Sequence, residues 1–146
     1  MEWLNISTSI ELVRVQTDDI VFIQADGNYS DMYLFNGKPH TMTFKLKFFE
    51  EAFLHLKNNP FVRVGKSLIV NKKYIYVINI SSQELLLSGS RLNVEFKLKA
   101  SKDALKDLKE QIEQETKLEH EKNITATGAD REKKEKIKTL FNSITL

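Results

Sequence analysis

The sequence predicts a mainly β fold with about nine or ten short antiparallel strands, one embedded helix and a helical C-terminal extension. Two features of its composition lead to this prediction. Residues 1–100 contain eight of the nine phenylalanines, all four tyrosines and four of the five glycines, a mixture typical of strands and turns. From residue 101 onward Lys, Glu, Leu, Ala and Gln dominate, which favours helix. Because only one helix lies among the strands, repeated βαβ units are not expected.

Four short apolar runs separated by turn signals predict the first strands, at residues 10–15, 20–25, 29–35 and about 38–44. Asp26-Gly27-Asn28 separates the second run from the third, and Asn36-Gly37 separates the third from the fourth. Asn-Gly between two strand-like runs is a strong hairpin signal because both residues tolerate positive φ. The third and fourth strands are therefore predicted to form a hairpin.

One amphipathic helix interrupts the strands, because apolar side chains recur at helical spacing and Pro60 lies beyond the last of them. They are Leu46, Phe49, Phe53 and Leu56. Strands are predicted to resume at residues 61–64, 68–70, 74–80 and 84–87. In the last predicted strand, apolar residues alternate with polar ones, so one face should be buried. The apolar residues are Leu92, Val94, Phe96 and Leu98.

The chain is predicted to divide into a β domain at residues 1–100 and a helical extension at residues 101–146. Ser101 is the predicted N-cap of a helix at about 102–122, a loop follows at 123–130, and a second helix spans about 131–145. The apolar residues of the two helices pack within the chain, form a homodimer interface or dock on a partner protein, and these alternatives stay open. These residues are Leu105, Leu108, Ile112, Ile137, Leu140, Phe141 and Ile144.

Several classes of protein are excluded or unsupported. The chain has no cysteine, which excludes a disulfide framework and Cys-ligated zinc. No apolar run approaches the roughly 18 residues of a membrane span, so we expect a cytoplasmic protein. His40, His55 and His120 have no partner at metal-ligand spacing, and no phosphate-binding or dinucleotide motif occurs. We therefore expect no metal, no cofactor and no enzymatic activity.

A basic segment between Glu51 and Glu84 departs from the overall charge balance, in which the net charge is only +2. The segment contains no acid and five bases, namely Lys57, Arg63, Lys66, Lys72 and Lys73. Clustered cations that neutralise phosphates release condensed counterions, which favours salt-sensitive binding to nucleic acid. A solvated basic face without a partner is the alternative.

Two separated blocks resemble the signature of LytTR-type DNA-binding domains. Residues 61–71 read FVRVGKSLIVN, close to the family pattern F-x-R-x-H-x-S-x-x-V-N, and residues 19–29 read DIVFIQADGNY, close to D-I-x-x-I-E-A-x-G-N-Y. The resemblance covers about residues 5–110. It implies a LytTR-like fold of small antiparallel sheets whose loops enter successive major grooves of double-stranded DNA. It also implies a bacterial transcriptional regulator that binds paired promoter repeats, for which a homodimer would be suited.

Domains of this family usually follow a phosphorylation-controlled receiver domain in response regulators. Here only about ten residues precede the first predicted strand, so we expect a stand-alone domain without control by phosphorylation on the same chain.

The resemblance implies base contacts from three positions, which are Ser30, Lys66 and Phe96 in this chain. Lys66 can donate to guanine O6 and N7, whereas Phe96 stands where many members carry a basic residue. Gly65 likewise replaces the usual histidine. The complete predicted DNA-binding set is Asn28, Ser30, Arg63, Lys66, Ser67, Asn71, Lys72, Lys73, Arg91 and Lys97.

Structural roles are the alternative for several of these residues. Arg63 can pair with an acid on a neighbouring strand, and Asn71 and Ser67 can stabilise turns. Tyr29 is expected in the core, and so is Phe96, which follows Glu95. The alternative function is therefore a protein–protein interaction or regulatory module that kept the fold but lost base recognition.

Overall fold

The computed structural model describes residues 2–126, and describes side chains for residues 2–119. In chain order, the elements of this part of the chain are β1 (Trp3–Ser7), β2 (Leu12–Gln16), β3 (Ile20–Asp26), β4 (Tyr29–Leu34), β5 (Pro39–Met42), α1 (Leu46–Phe53), β6 (Phe61–Val64), β7 (Leu68–Asn71), β8 (Ile75–Asn79), β9 (Glu84–Leu87), β10 (Phe96–Lys99) and α2 (Lys102–Ala126). Single-turn 3-10 helices precede β3 and β8, at Thr17–Asp19 and Lys72–Tyr74. The predicted mainly β class is confirmed.

The ten described strands form three sheets in which every pairing is antiparallel. One sheet contains β1 and β2, a second has the order β5-β4-β3-β7-β6, and a third has the order β10-β9-β8. β1 is absent from the predicted strands, because its short alternation contains only two inward apolar residues, Leu4 and Ile6. Both are buried, so β1 contributes to the core despite its weak sequence signal.

The helix α1 packs on the five-stranded sheet. Three residues of its predicted apolar stripe, Leu46, Phe49 and Phe53, are buried, whereas the predicted Leu56 lies beyond the end of α1 and is half-buried. The Phe53 ring stacks on the Phe61 ring of β6, with centroids 3.9 Å apart. Full burial of one such side chain contributes about 1.5–3 kcal/mol, so this stripe fixes the helix firmly on the sheet.

Phe96 connects the third sheet to the five-stranded sheet. Its ring makes T-shaped contacts with the rings of Phe22 of β3 and Tyr33 of β4, with ring centroids 5.1 and 6.0 Å apart, respectively. The expected inward orientation of Phe96 is therefore correct, although the side chain is only half-buried. The alternation predicted from Leu92 is wrong at Val94, which is 42% exposed, and β10 begins only at Phe96.

The chain separates into two compact units, residues 1–106 and 107–146. Within the first unit, the predicted N-cap is confirmed, because the Ser101 hydroxyl accepts a hydrogen bond from the Ala104 amide at 3.2 Å. The helix α2 continues to Ala126, so residues 123–126 of the predicted loop are helical. No Gly or Pro interrupts the sequence there before Gly128.

The apolar residues predicted on the C-terminal helices are only partly described. Leu105 and Leu108 are buried, and Ile112 is half-buried. The second predicted helix lies outside the described residues, together with Ile137, Leu140, Phe141 and Ile144. Neither described α-helix is long and apolar enough to cross a bilayer.

Candidate nucleic-acid interface

The register of the five-stranded sheet places two hairpin turns at the same end. The strands β3 and β7 are antiparallel neighbours with Gln24 opposite Leu68, and the Ala25 amide donates to the Ser67 carbonyl at 2.8 Å. The β3–β4 turn and the β6–β7 turn therefore lie side by side. We call residues 26–29 and 65–67 the turn end of the sheet.

Several of the predicted DNA-binding residues lie at the opposite end. Asn71 ends β7 and Ile20 begins β3, on the strand whose far end is Asp26. Six residue steps at about 3.3 Å each separate the two ends by about 20 Å. The structure therefore splits the predicted set. Asn28, Lys66 and Ser67 lie at the turn end, Arg63 lies on β6 beside it, and Asn71, Lys72, Lys73 and Arg91 lie at the opposite end.

Glycines shape both tips of the turn end. Gly27 and Gly65 each have a φ of +63°, in the left-handed region that favours glycine. A Cβ at Gly65 would lie 3.5 Å from the Cβ of Ala104, an ordinary contact. The backbone conformation, rather than a lack of space, therefore favours glycine at position 65.

Arg63 hydrogen-bonds the backbone of the β6–β7 turn. Its Nε donates to the Gly65 carbonyl at 3.1 Å and its Nη2 donates to the Lys66 carbonyl at 2.8 Å. Its Nη1 pairs with the Glu50 carboxylate on α1. Arg63 thus has an acidic partner, but that partner comes from a helix and not from a neighbouring strand.

Five side chains at the turn end are open to solvent, those of Asp26, Asn28, Tyr29, Lys66 and Ser67. No carboxylate among the described side chains pairs with the Lys66 ammonium. Tyr29 is 50% exposed, so its expected place in the core is a wrong prediction. The turn end therefore presents an amide, an ammonium, a hydroxyl, a phenol and the Asp26 carboxylate at neighbouring tips.

Ser30 and Asn71 lie in the interior and stabilise the backbone. The buried Ser30 hydroxyl donates to the Phe44 carbonyl at 2.6 Å. The buried Asn71 amide donates to the Ile20 carbonyl at 3.0 Å, and its Oδ1 accepts from the Lys73 amide at 3.1 Å. Neither side chain reaches the solvent-exposed surface.

Carboxylates at the opposite end pair with two of the predicted cations. Lys73 Nζ lies 2.9 Å from an Asp18 oxygen, and Arg91 Nη2 lies 2.8 Å from an Asp19 oxygen. The Tyr74 hydroxyl donates to the Asp18 carbonyl, and burial raises the pKa of this phenol above its usual value of 10.0. Asp18 and Asp19 thus hold the Lys73 and Arg91 side chains at this end.

Lys97 also has an acidic neighbour. Its ammonium lies 3.6 Å from a Glu84 oxygen, and the Lys99 ammonium lies 3.5 Å from the same oxygen. A hydrogen bond from Ser82 and the two lysines lower the pKa of Glu84 below 4.5. The predicted set therefore includes four cations that share their charge with acids, namely Arg63, Lys73, Arg91 and Lys97. The basic segment does not act as one continuous cationic patch.

Comparison with known proteins identifies the same architecture. The family model of the LytTr DNA-binding domain matches residues 11–113. Among solved structures, the chain is similar to the LytTr DNA-binding domain of a protein from Bacillus cereus described as a methyl-accepting/DNA response regulator, with 18% sequence identity and a TM-score of 0.55. That match covers 77% of this chain and 97% of the other, and at this identity it shows the fold alone. No curated protein matches the chain.

Proposed function

The chain belongs to the LytTR family of DNA-binding domains, a fold of transcription regulators, and from this premise we propose that it binds double-stranded DNA sequence-specifically as a bacterial transcriptional regulator. The family match over residues 11–113 is the observation that carries the proposal. The turn end supports it, because that end combines exposed hydrogen-bonding groups with a glycine-shaped backbone that approaches a partner closely.

The β6–β7 turn enters the major groove in this proposal. Lys66 donates to guanine O6 or N7, and Ser67 contacts a base edge or a phosphate. The centres of the two hairpins are about two strand spacings, or about 10 Å, apart, which is close to the groove width of roughly 12 Å. When Lys66 lies between the base edges, Asn28 therefore lies near the wall of the same groove.

Phosphate contacts are proposed for the remaining surface cations, Lys72, Lys73, Arg91 and Lys97. At Lys73, Arg91 and Lys97 a phosphate must replace a carboxylate, and the existing interactions of Lys72 must likewise allow the contact. Exposed ion pairs contribute only about 0–1 kcal/mol, so the exchange costs little. These contacts would add affinity without sequence discrimination, whereas the turn end would supply the discrimination.

We also propose a homodimer on paired promoter repeats, formed by the C-terminal helices. The proposal rests on the apolar residues predicted for the second helix, Ile137, Leu140, Phe141 and Ile144, which lie outside the described residues. Sedimentation of the full chain and of a chain without residues 123–146 tests the proposal. A dimer that becomes a monomer on truncation is expected, and an unchanged monomer mass in both samples would refute it.

Selection of bound sequences from random DNA, followed by fluorescence anisotropy over a series of salt concentrations, tests the main proposal. We expect a selected sequence to bind with a dissociation constant that rises steeply with salt. The Lys66→Ala variant should lose affinity for it, whereas Lys117→Ala, which changes an exposed lysine of α2 with no proposed contact to DNA, should not.

Absence of binding at low salt would refute the proposal. It would favour the alternative, a protein-interaction module that kept this fold. The inward packing of Phe96 on Phe22, at a position that many members use for a basic residue, is the observation that fits this alternative.

A further inference from the structure

One guanidinium joins the tip of the β6–β7 turn to the helix α1. Arg63 donates to two successive carbonyls of the turn, those of Gly65 and Lys66, at 3.1 and 2.8 Å. Its third nitrogen pairs with Glu50. The neighbouring helix residues Phe49 and Phe53 are 0% and 1% exposed, so Glu50 extends from a helix that the core holds in place.

We propose that Arg63 is a positioning residue, which fixes the turn backbone so that Lys66 is presented to DNA, and that Glu50 orients the Arg63 guanidinium from α1. The proposal rests on the proposed function, and it reassigns Arg63 from a DNA contact to the support of one. It also names Glu50, an acid outside both sequence blocks, as part of the recognition machinery.

The conformation of the turn explains why such support is needed. Gly65 has a φ of +63°, and glycine loses more conformational freedom on ordering than any other residue. A turn that fluctuates must be ordered when DNA binds, at a cost in affinity. Two hydrogen bonds from a single side chain remove that cost in advance.

The shape of the guanidinium explains why lysine cannot replace arginine here. Arginine presents five N–H donors in a rigid planar fork, and three nitrogens of that fork have separate partners in this structure. An ammonium on a flexible stem keeps the charge but cannot hold the two carbonyls and the carboxylate at once. Arg63→Lys therefore separates geometry from charge.

A double-mutant cycle on the full chain tests the proposal, with Arg63→Lys, Lys66→Ala and the double variant measured on a selected DNA sequence and on a random one. We expect Arg63→Lys to weaken binding to the selected sequence about tenfold and to leave the random sequence within about twofold. In the Lys66→Ala background the same change should cost less than about twofold. Equal losses on both sequences, or additive losses in the cycle, would overturn the proposal.

Amide relaxation of the free protein gives a readout that does not depend on DNA. Backbone order parameters at residues 65–67 should be near 0.85 in the unmodified chain and should fall below about 0.6 in Arg63→Lys. If the turn loosens but the unmodified chain binds no DNA, the proposed function fails and the positioning role stands. If the chain binds DNA specifically and the turn stays rigid in the variant, the positioning role fails alone.

Glu50→Gln is the second variant, and it carries the test if Arg63→Lys does not fold. The amide keeps the shape of Glu50 but loses its charge, so we expect the same losses at about half the size on a logarithmic scale. Glu51→Gln is the matched control, because it removes one charge from the exposed adjacent position. Identical behaviour of the two glutamine variants would refute a role for Glu50.

Discussion

Replacement of Asn71 by alanine distinguishes an internal structural role from a contact with DNA. The side chain is fully buried and makes two hydrogen bonds of ordinary length, one to the Ile20 carbonyl at 3.0 Å and one from the Lys73 amide at 3.1 Å. A longer one reaches the Thr17 carbonyl at 3.5 Å. Each lost partner leaves a buried polar group unsatisfied, at about 1–3 kcal/mol.

We expect Asn71→Ala to lower the free energy of unfolding by about 2–4 kcal/mol, from two lost hydrogen bonds and the small cavity that remains. Urea denaturation followed by circular dichroism measures this change. The exposed Asn5 on β1 provides the control, and Asn5→Ala should change stability by less than about 0.5 kcal/mol.

The affinity for DNA, in contrast, should not change. Under conditions where Asn71→Ala is fully folded, its affinity for a selected DNA sequence should stay within about twofold of the unmodified chain, because the side chain does not reach the surface. A stability loss below about 0.5 kcal/mol combined with a tenfold weaker affinity would refute this reasoning and would make Asn71 a DNA contact.

Three further changes have expected outcomes. Lys66→Ala should weaken binding to the selected sequence by about 1–3 kcal/mol in anisotropy titrations, while Lys117→Ala changes it by less than a factor of about two; equal effects would contradict a contact specific to the turn end. Asp18→Asn with Asp19→Asn should free Lys73 and Arg91, so that the slope of log affinity against log salt steepens by about 1–2; an unchanged slope would show that these cations do not reach phosphates. The pKa of Glu84 is lowered in the folded state, so the stability that this carboxylate contributes is present above the unfolded value of 4.5 and is lost as the pH falls through the folded value. In urea unfolding over a series of pH values, Glu84→Gln should remove this part of the acid-induced loss of stability. A pH profile identical to that of the unmodified chain would count against the prediction.

Sequence patterns correctly predicted those elements whose structure depends mainly on residues close together in the sequence. The Asn36-Gly37 signal predicted the β4–β5 hairpin, and the structure places Gly37 at a φ of +84°. The apolar stripe of α1 is buried as expected, because helical spacing alone decides which side chains share a face. Ser30 follows the same logic, since it shares the inward face of β4 with Met32, and this period of two could have identified it as buried.

Long-range partners could not be predicted in this way. Asp18 pairs with Lys73 across 55 positions of sequence, and Glu50 pairs with Arg63 across 13. A count of charges within one segment ignores acids that the fold brings in from elsewhere. The basic segment was therefore an incomplete guide to the surface charge, and the register of β3 and β7 was needed to separate the two ends of the sheet.

The hydrogen bond from Ala25 to Ser67 has a consequence for how preferences among target sites can change over evolutionary time. It joins two hairpins of one sheet, and an inserted or deleted residue in either arm would turn outward side chains inward along the rest of that strand. Lineages that diverge in target preference should therefore keep both hairpins at constant length and vary only the residues at their tips. Paralogues with different operators would then differ by substitution at these few positions and not by gaps.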